Sequence, residues 1–178
     1  EHVAVAAEAA AQDPEVALSM ARESLSKGLS FHLLDLLYRL NQKHGEFGTK
    51  FAGEIIAKLR GKNLNTDLFG ARLAISLLDF SRPPAETAAE KTAAPSIRPL
   101  KLTTEQRREL VEMITNAALE GSADGNILFA IDRIMLEIEQ FTPERVALLQ
   151  RKLTAFNQTL NKQQKISQEY NSIFHTGS

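Results

Sequence analysis

Apolar residues recur three and four positions apart along most of the chain, the spacing that indicates one face of an α-helix. The first predicted helix covers residues 2–11, which are rich in Ala and Val. Asp13 then caps a second helix with Pro14 in its first turn, where a missing N–H group costs nothing. This helix is predicted to end at Gly28, because glycine commonly follows the last helical turn.

Six further helices are predicted in the same way, from a helix-start signal followed by apolar residues at helical spacing. They are predicted to begin near Ser30, Glu46, Thr66, Thr103, Ile127 and Thr142. Thr103 and Gln106 match the capping-box pattern. Apolar and polar residues nowhere alternate over the length of a strand. We therefore predict an all-α fold of about eight amphipathic helices stacked as antiparallel pairs, as an α-solenoid or an irregular bundle.

The last helix carries an apolar seam that is interrupted. The seam becomes polar over residues 161–165, so either one long helix continues to about Phe174 or a break or kink falls near Asn161, and we favour the break. Beyond this point, Ile166, Tyr170 and Ile173 are predicted to resume the seam. Its first part consists of Val146, Leu149, Leu153, Phe156 and Leu160.

The first half of the chain repeats itself. Residues 46–52 resemble residues 68–74, and each segment continues with a bulky pair, Ile55-Ile56 and Leu77-Leu78. Helical units of this kind must stack to bury their apolar faces. The pattern is similar to that of tetratricopeptide-like arrays over residues 14–80, without their fixed period and aromatic positions. The resemblance implies helix pairs and no functional residue.

The segment between the two halves differs in composition. It is rich in Ala, Thr and Pro and contains few large apolar residues. Such a segment buries too little apolar surface to offset the entropy of ordering. We predict an N-terminal helical-repeat segment over 1–80, a flexible linker over 81–100 and a C-terminal helical segment over 101–178.

Composition narrows the classes of function. Lys plus Arg number 21 and Asp plus Glu number 22, so the net charge of −1 argues against nucleic-acid binding. The absence of cysteine excludes disulfides and thiolate metal sites. No apolar run approaches the ~20 residues of a membrane span. The chain begins at Glu1 without an initiator methionine, so we expect processing or trimming, and an exported protein stays among the alternatives.

Three patterns superficially resemble ligand sites. His32 and Asp35 share a helix face, but a metal ion needs more ligands than these two. Residues 45–50 contain two glycines and a lysine without the spacing of a phosphate loop, and no strand precedes them. Residues 122–126 lack the acidic ligands of a calcium loop. We interpret all three as helix faces, turns or caps and predict no metal, cofactor or catalytic residue.

Charged residues offer two further candidates. Two carboxylates can act as a catalytic acid and base only in a pocket that moves their pKa values apart. The two candidate pairs in this chain are predicted to lie on solvated helix faces instead. The pairs are Glu109 with Glu112 and Glu137 with Glu139. The chain also has two basic clusters, which are expected to lie at helix ends and on helix surfaces. The first is Lys58, Arg60 and Lys62, and the second is Arg145, Arg151 and Lys152.

These observations favour a non-catalytic protein–protein interaction scaffold, since stacked helices offer long surfaces to protein or peptide partners. The alternatives are a structural segment of a larger protein and, third, a small-molecule-binding bundle or enzyme. We expect a monomer that binds no nucleic acid and does not insert into membranes. The alternative is that the last helix pairs with another copy of itself, whereas a seam of this kind is more often used within one chain.

Overall fold

The computed structural model describes residues 13–83, 98–121 and 127–175, and within them all regular structure is helical, which confirms the all-α prediction. Seven helices occur there, rather than about eight, and the predicted helix at residues 2–11 lies outside the described residues. They are α1 (Pro14–Ser26), α2 (His32–Lys43), α3 (Gly45–Leu59), α4 (Leu68–Phe80), α5 (Thr104–Glu120), α6 (Leu128–Ile131 and Met135–Phe141, joined by the 3-10 turn Asp132–Ile134) and α7 (Val146–His175).

Several predicted helix ends are confirmed. The Asp13 carboxylate accepts a hydrogen bond from the Glu15 N–H at the start of α1. Gly28, just after α1, adopts a φ of 120°, which side-chain-bearing residues rarely reach. Both reciprocal hydrogen bonds of the capping box between Thr103 and Gln106 are present at α5.

Three other predicted caps are wrong. Ser30 does not cap α2, which begins at His32 without a side-chain cap. Asp67, not Thr66, caps α4, because its carboxylate accepts from the Gly70 N–H at 2.9 Å. The Thr142 hydroxyl donates back to a carbonyl at the end of α6. At Thr66 and Thr142 a neighbouring residue or a local backbone acceptor provides the better partner.

Each helix packs against the next along the chain, and α1 also contacts α3, α3 contacts α5, and α5 contacts α7. Gly48 allows the close approach of α2 to α3, since a Cβ there would lie 2.6 Å from the Asn41 Oδ1 atom. A single apolar core runs from Ala17 in α1 to Phe156 in α7. The repeat arrangement itself stays a prediction.

The core is continuous across the segment predicted as a linker. Leu100 is buried, and its N–H donates to the Phe80 carbonyl at 3.0 Å. The Arg98 carbonyl accepts hydrogen bonds from the side chains of Asn41 and Gln42. Residues 84–97 lie outside the described residues, so flexibility there and the division into 1–80, 81–100 and 101–178 stay predictions.

The predicted break near Asn161 is wrong, because α7 continues without interruption. The polar stretch contains no glycine or proline, and its lysine and glutamine residues are good helix formers. What changes there is the surroundings of the helix. Phe156 is buried and Leu160 is half-buried, whereas residues 161–174 are all exposed. The second half of α7 therefore projects beyond the core.

Candidate docking surfaces

A groove runs along α4, and we call it the α4 groove. Its volume is about 410 Å³, within the range of ligand sites. Phe31, just before α2, forms one wall, and Ile127, Ala130 and Arg133, at and in α6, form the other. The floor is one face of α4, made of Leu68, Ala71, Arg72, Ile75, Ser76 and Asp79.

Two large apolar side chains stand at the edge of this groove. Phe31 is 53% exposed and Leu68 is 46% exposed. The Phe31 ring packs on the Phe69 ring, with 4.2 Å between their centroids, so its position is fixed by an aromatic contact. A held and half-exposed aromatic ring resembles the anchors that dominate protein interfaces.

The α4 groove carries a surplus of positive charge. Arg133 donates to the Asp79 carboxylate at 2.7 Å, which neutralises one end. Arg72 is exposed and forms no ion pair or side-chain hydrogen bond found among the described residues. Two cations and one anion therefore line a groove in a chain whose overall net charge is −1.

A buried ion pair holds this side of the molecule together. The Arg82 guanidinium donates to both carboxylate oxygens of Glu137, at 2.5 and 2.6 Å. Arg82 also donates to the Arg133 carbonyl, and Arg107 donates to the Ser81 carbonyl at 2.7 Å. These contacts fix the end of α4 to α5 and α6, and hence fix the end of the groove at Arg133.

Glu137 is only 6% exposed, and its titration reflects both burial and pairing. Burial raises the pKa of Glu137, but the hydrogen bonds from Arg82 and its own backbone, with the charges of Arg82 and Arg107, outweigh burial and lower that pKa overall. The same hydrogen bonds raise the pKa of Arg82. Glu137 is thus an ionised partner in an ion pair at neutral pH.

The second candidate surface lies on the projecting half of α7. Ile166, Tyr170, Ile173 and Phe174 recur three and four residues apart, and each is between 61% and 70% exposed. We call these four residues the α7 stripe. The rings of Tyr170 and Phe174 are in contact, with 4.5 Å between their centroids. The prediction that residues after 165 resume the buried seam is wrong, because they face solvent.

The patterns that superficially resemble ligand sites lie where a structural role explains them. His32 and Asp35 are exposed on α2, and Asp35 pairs with Arg39 at 3.2 Å. Residues 45–50 form the first turns of α3. Residues 122–126 lie outside the described residues. Within the described ranges, no group of three or more metal-ligating side chains occurs.

The predicted carboxylate pairs are not brought together as acid and base. Glu109 binds Arg60 of α3, and this hydrogen bond lowers the pKa of Glu109. Glu112 is exposed. Glu137 is buried in its ion pair, whereas Glu139 is exposed. Carboxylates with lowered pKa values hold no proton to donate at neutral pH.

The basic clusters are used largely within the fold. Arg60 binds Glu109 while Lys58 and Lys62 are exposed. Arg145 donates to side chains of α5, including the Thr115 hydroxyl at 2.7 Å. The Lys152 ammonium donates to three carbonyls at the end of α5, and Arg151 is exposed. These contacts satisfy carbonyl groups that every helix end leaves unpaired.

The sequence reasoning missed the α4 groove. On α4, Leu68 is exposed and Ile75 is half-buried. A signal was present, since Leu68 and Ile75 are seven residues apart and form an apolar row beside the buried row of Leu73 and Leu77. A helix with two apolar rows has more apolar surface than one neighbour covers.

The chain matches no known family model, no curated protein and no solved structure. None of the helices in the described ranges is both long and apolar enough to cross a membrane. Arguments about function therefore rest on the two surfaces themselves.

Proposed function

We propose that this protein is a non-catalytic interaction scaffold that binds an acidic, amphipathic peptide segment of a partner protein in the α4 groove. The observation that carries the proposal is the presence in one groove of a held, half-exposed aromatic side chain, Phe31, and an exposed cation, Arg72, that has no ion pair with another described residue. Apolar anchors supply affinity, and a charge at the rim selects the partner.

The shape and charge of the groove support a peptide with two features. A bulky apolar side chain fits between Phe31, Leu68 and Ile75, which line the floor and one wall. Arg72 attracts a carboxylate placed near that apolar side chain. At the opposite end of the groove, the charge of Arg133 is already neutralised by its ion pair with Asp79. A helix laid in a groove presents such side chains one turn apart.

Selection from a random 12-residue peptide library on the immobilised chain tests this proposal. Enriched peptides are expected to combine a large apolar residue with Asp or Glu three or four positions away. In fluorescence anisotropy, Phe31→Ala and Arg72→Glu should each weaken the best peptide by at least about tenfold, ~1.4 kcal/mol. Leu136→Ala is the matched control, because Leu136 is 74% exposed and lies outside the groove.

The other outcomes separate the alternatives. Enrichment of basic peptides, or binding that neither groove substitution changes, would contradict the proposal. The absence of any enriched peptide would favour the structural-segment alternative. Circular dichroism of each variant shows whether lost binding comes from lost folding, which matters for Phe31 because its ring contacts Phe69.

A further inference from the structure

The projecting half of α7 carries apolar residues that the described part of the molecule does not cover. Residues 161–174 are all exposed, and at 1.5 Å per residue they extend for about 20 Å. A helix gains most of its stability in proteins from packing of its apolar face. Contiguous exposed apolar residues on a helix usually mark a surface that another helix covers.

The charges beside the α7 stripe identify the kind of helix that fits. Successive residues of an α-helix are rotated by about 100°, so Lys162, Lys165 and Glu169 all lie on one flank of the stripe. Ser167 and Asn171 lie on the other flank, which carries no charge. None of the ion pairs between described residues involves the charged flank.

We infer that the α7 stripe is covered by the same stripe of a second copy of this chain, with the two helices antiparallel. Antiparallel pairing brings the like flanks of two identical helices together, in reverse order. Lys165 then lies beside Glu169 of the second copy, and the reciprocal pair forms by symmetry. The midpoint between residues 165 and 169 is 167, so the contact is centred at position 167.

One apolar pair favours almost the same register, since Ile166 lies opposite Tyr170 of the second copy when the contact is centred at position 168, one residue away. Ile173 and Phe174 then lie opposite residues 163 and 162, beyond the facing stripe. A parallel pairing would instead place the charged flank against the uncharged one and form no ion pair. Charge and this apolar pair therefore favour an antiparallel helix pair, a departure from the monomer expected from the sequence.

The area available fits a weak dimer. Tyr170 and Phe174 each expose about two thirds of a side chain that buries roughly 150–250 Å² when covered. Only Ile166 and Tyr170 of each copy directly face the stripe of the other copy, and Ile173 and Phe174 lie beyond it, so the interface stays below about 1,000 Å², the size of weak and transient complexes. We expect a reversible dimer with a Kd of about 1–100 μM.

Sedimentation velocity of the full chain between about 1 and 200 μM tests the inference. The chain should pass from monomer to dimer, and Tyr170→Asp should raise the Kd at least about tenfold. Leu136→Asp is the matched control, since Leu136 is exposed on α6, away from the stripe, and should leave the Kd unchanged. A chain that stays monomeric throughout, or a dimer that Tyr170→Asp does not weaken, would overturn the inference.

Charge exchange tests the register. Lys165→Glu and Glu169→Lys should each weaken the dimer, because each places like charges together, and the double variant Lys165→Glu/Glu169→Lys should restore it. Failure of the double variant to restore the dimer overturns the proposed pairing. Binding of the monomer to vesicles containing anionic lipid, with no dimer formed, would mean that a membrane surface covers the stripe instead.

Cysteine cross-linking tests the orientation, because the natural chain has no cysteine that would interfere. Ser167→Cys lies near the centre of the antiparallel pair and should form a disulfide-linked dimer on mild oxidation. Gln163→Cys should not, since its two copies lie about 13 Å apart along the antiparallel helices. Efficient linking through both positions would indicate parallel helices and contradict the inference.

Discussion

The two halves of α7 carry similar apolar residues in different surroundings. Leu149 and Phe156, in the first half, are buried against the rest of the protein, whereas Ile166 and Tyr170, in the second half, are largely exposed. Both halves are helical. Apolar spacing therefore predicts that a segment is helical, but the neighbouring elements determine whether its apolar face is buried.

The largest effect should come from the buried half. Leu149→Ala should lower the free energy of unfolding by about 2–5 kcal/mol, because it leaves a cavity in a fully buried position. Urea denaturation followed by circular dichroism measures the change. The adjacent Leu148 is 49% exposed and provides a matched control, for which Leu148→Ala should cost less than about 1 kcal/mol. Equal effects at the two positions would contradict the packing of this half.

The second-largest effect should come from Glu137, a buried carboxylate in the body of the protein. The exposed half of α7 has no equivalent buried charge among its described residues. Glu137→Gln should lower the free energy of unfolding by about 1–3 kcal/mol, because the buried Glu137 loses the charge that binds Arg82, whose side chain is 34% exposed. Glu109→Gln is the control, since Glu109 pairs with the exposed Arg60 and should contribute at most about 1 kcal/mol.

The Glu137 contribution should also depend on pH, with a sign that follows from its lowered pKa. A carboxylate whose pKa is lower in the folded chain stabilises that chain fully above the unfolded pKa, about 4.3 for Glu. The stabilisation is lost as pH falls through the folded pKa. The difference between the natural chain and Glu137→Gln should therefore be largest at neutral pH and shrink below about pH 4. A difference that is constant from pH 7 to pH 3 would argue against this ion pair.

Local features could be predicted from the sequence where the interacting residues are close along the chain. The Asp13 cap, Gly28 and the capping box at Thr103 each involve residues within a few positions, and all are confirmed. The predicted cap at Thr66 is wrong because the neighbouring Asp67 takes its place, and the sequence does not rank the two. The pair of Arg82 with Glu137 spans 55 residues and required the packing of α4 against α6.

The candidate surfaces were harder to predict for a related reason. The seam of α7 was predicted to resume on the same face after its polar interruption. The step from Leu160 to Ile166 is six residues, however, which turns the apolar row by roughly a third of a turn. Phe31 was missed because it precedes its helix. Whether such residues form a buried face, a groove or an exposed stripe depends on which neighbouring elements pack against them.

The smallest effect should come from removing the exposed half of α7 altogether. A chain that ends at Asn161 loses no buried side chain among the residues whose burial is described, because residues 162–174 are exposed throughout. Its free energy of unfolding should change by less than about 0.5 kcal/mol at concentrations where the natural chain is monomeric. Circular dichroism should still show the loss of the 14 helical residues 162–175, so the removed segment is helical without supporting the body. A loss of stability above about 1 kcal/mol would mean that this half of α7 packs against the body and that the contrast between the two halves is false.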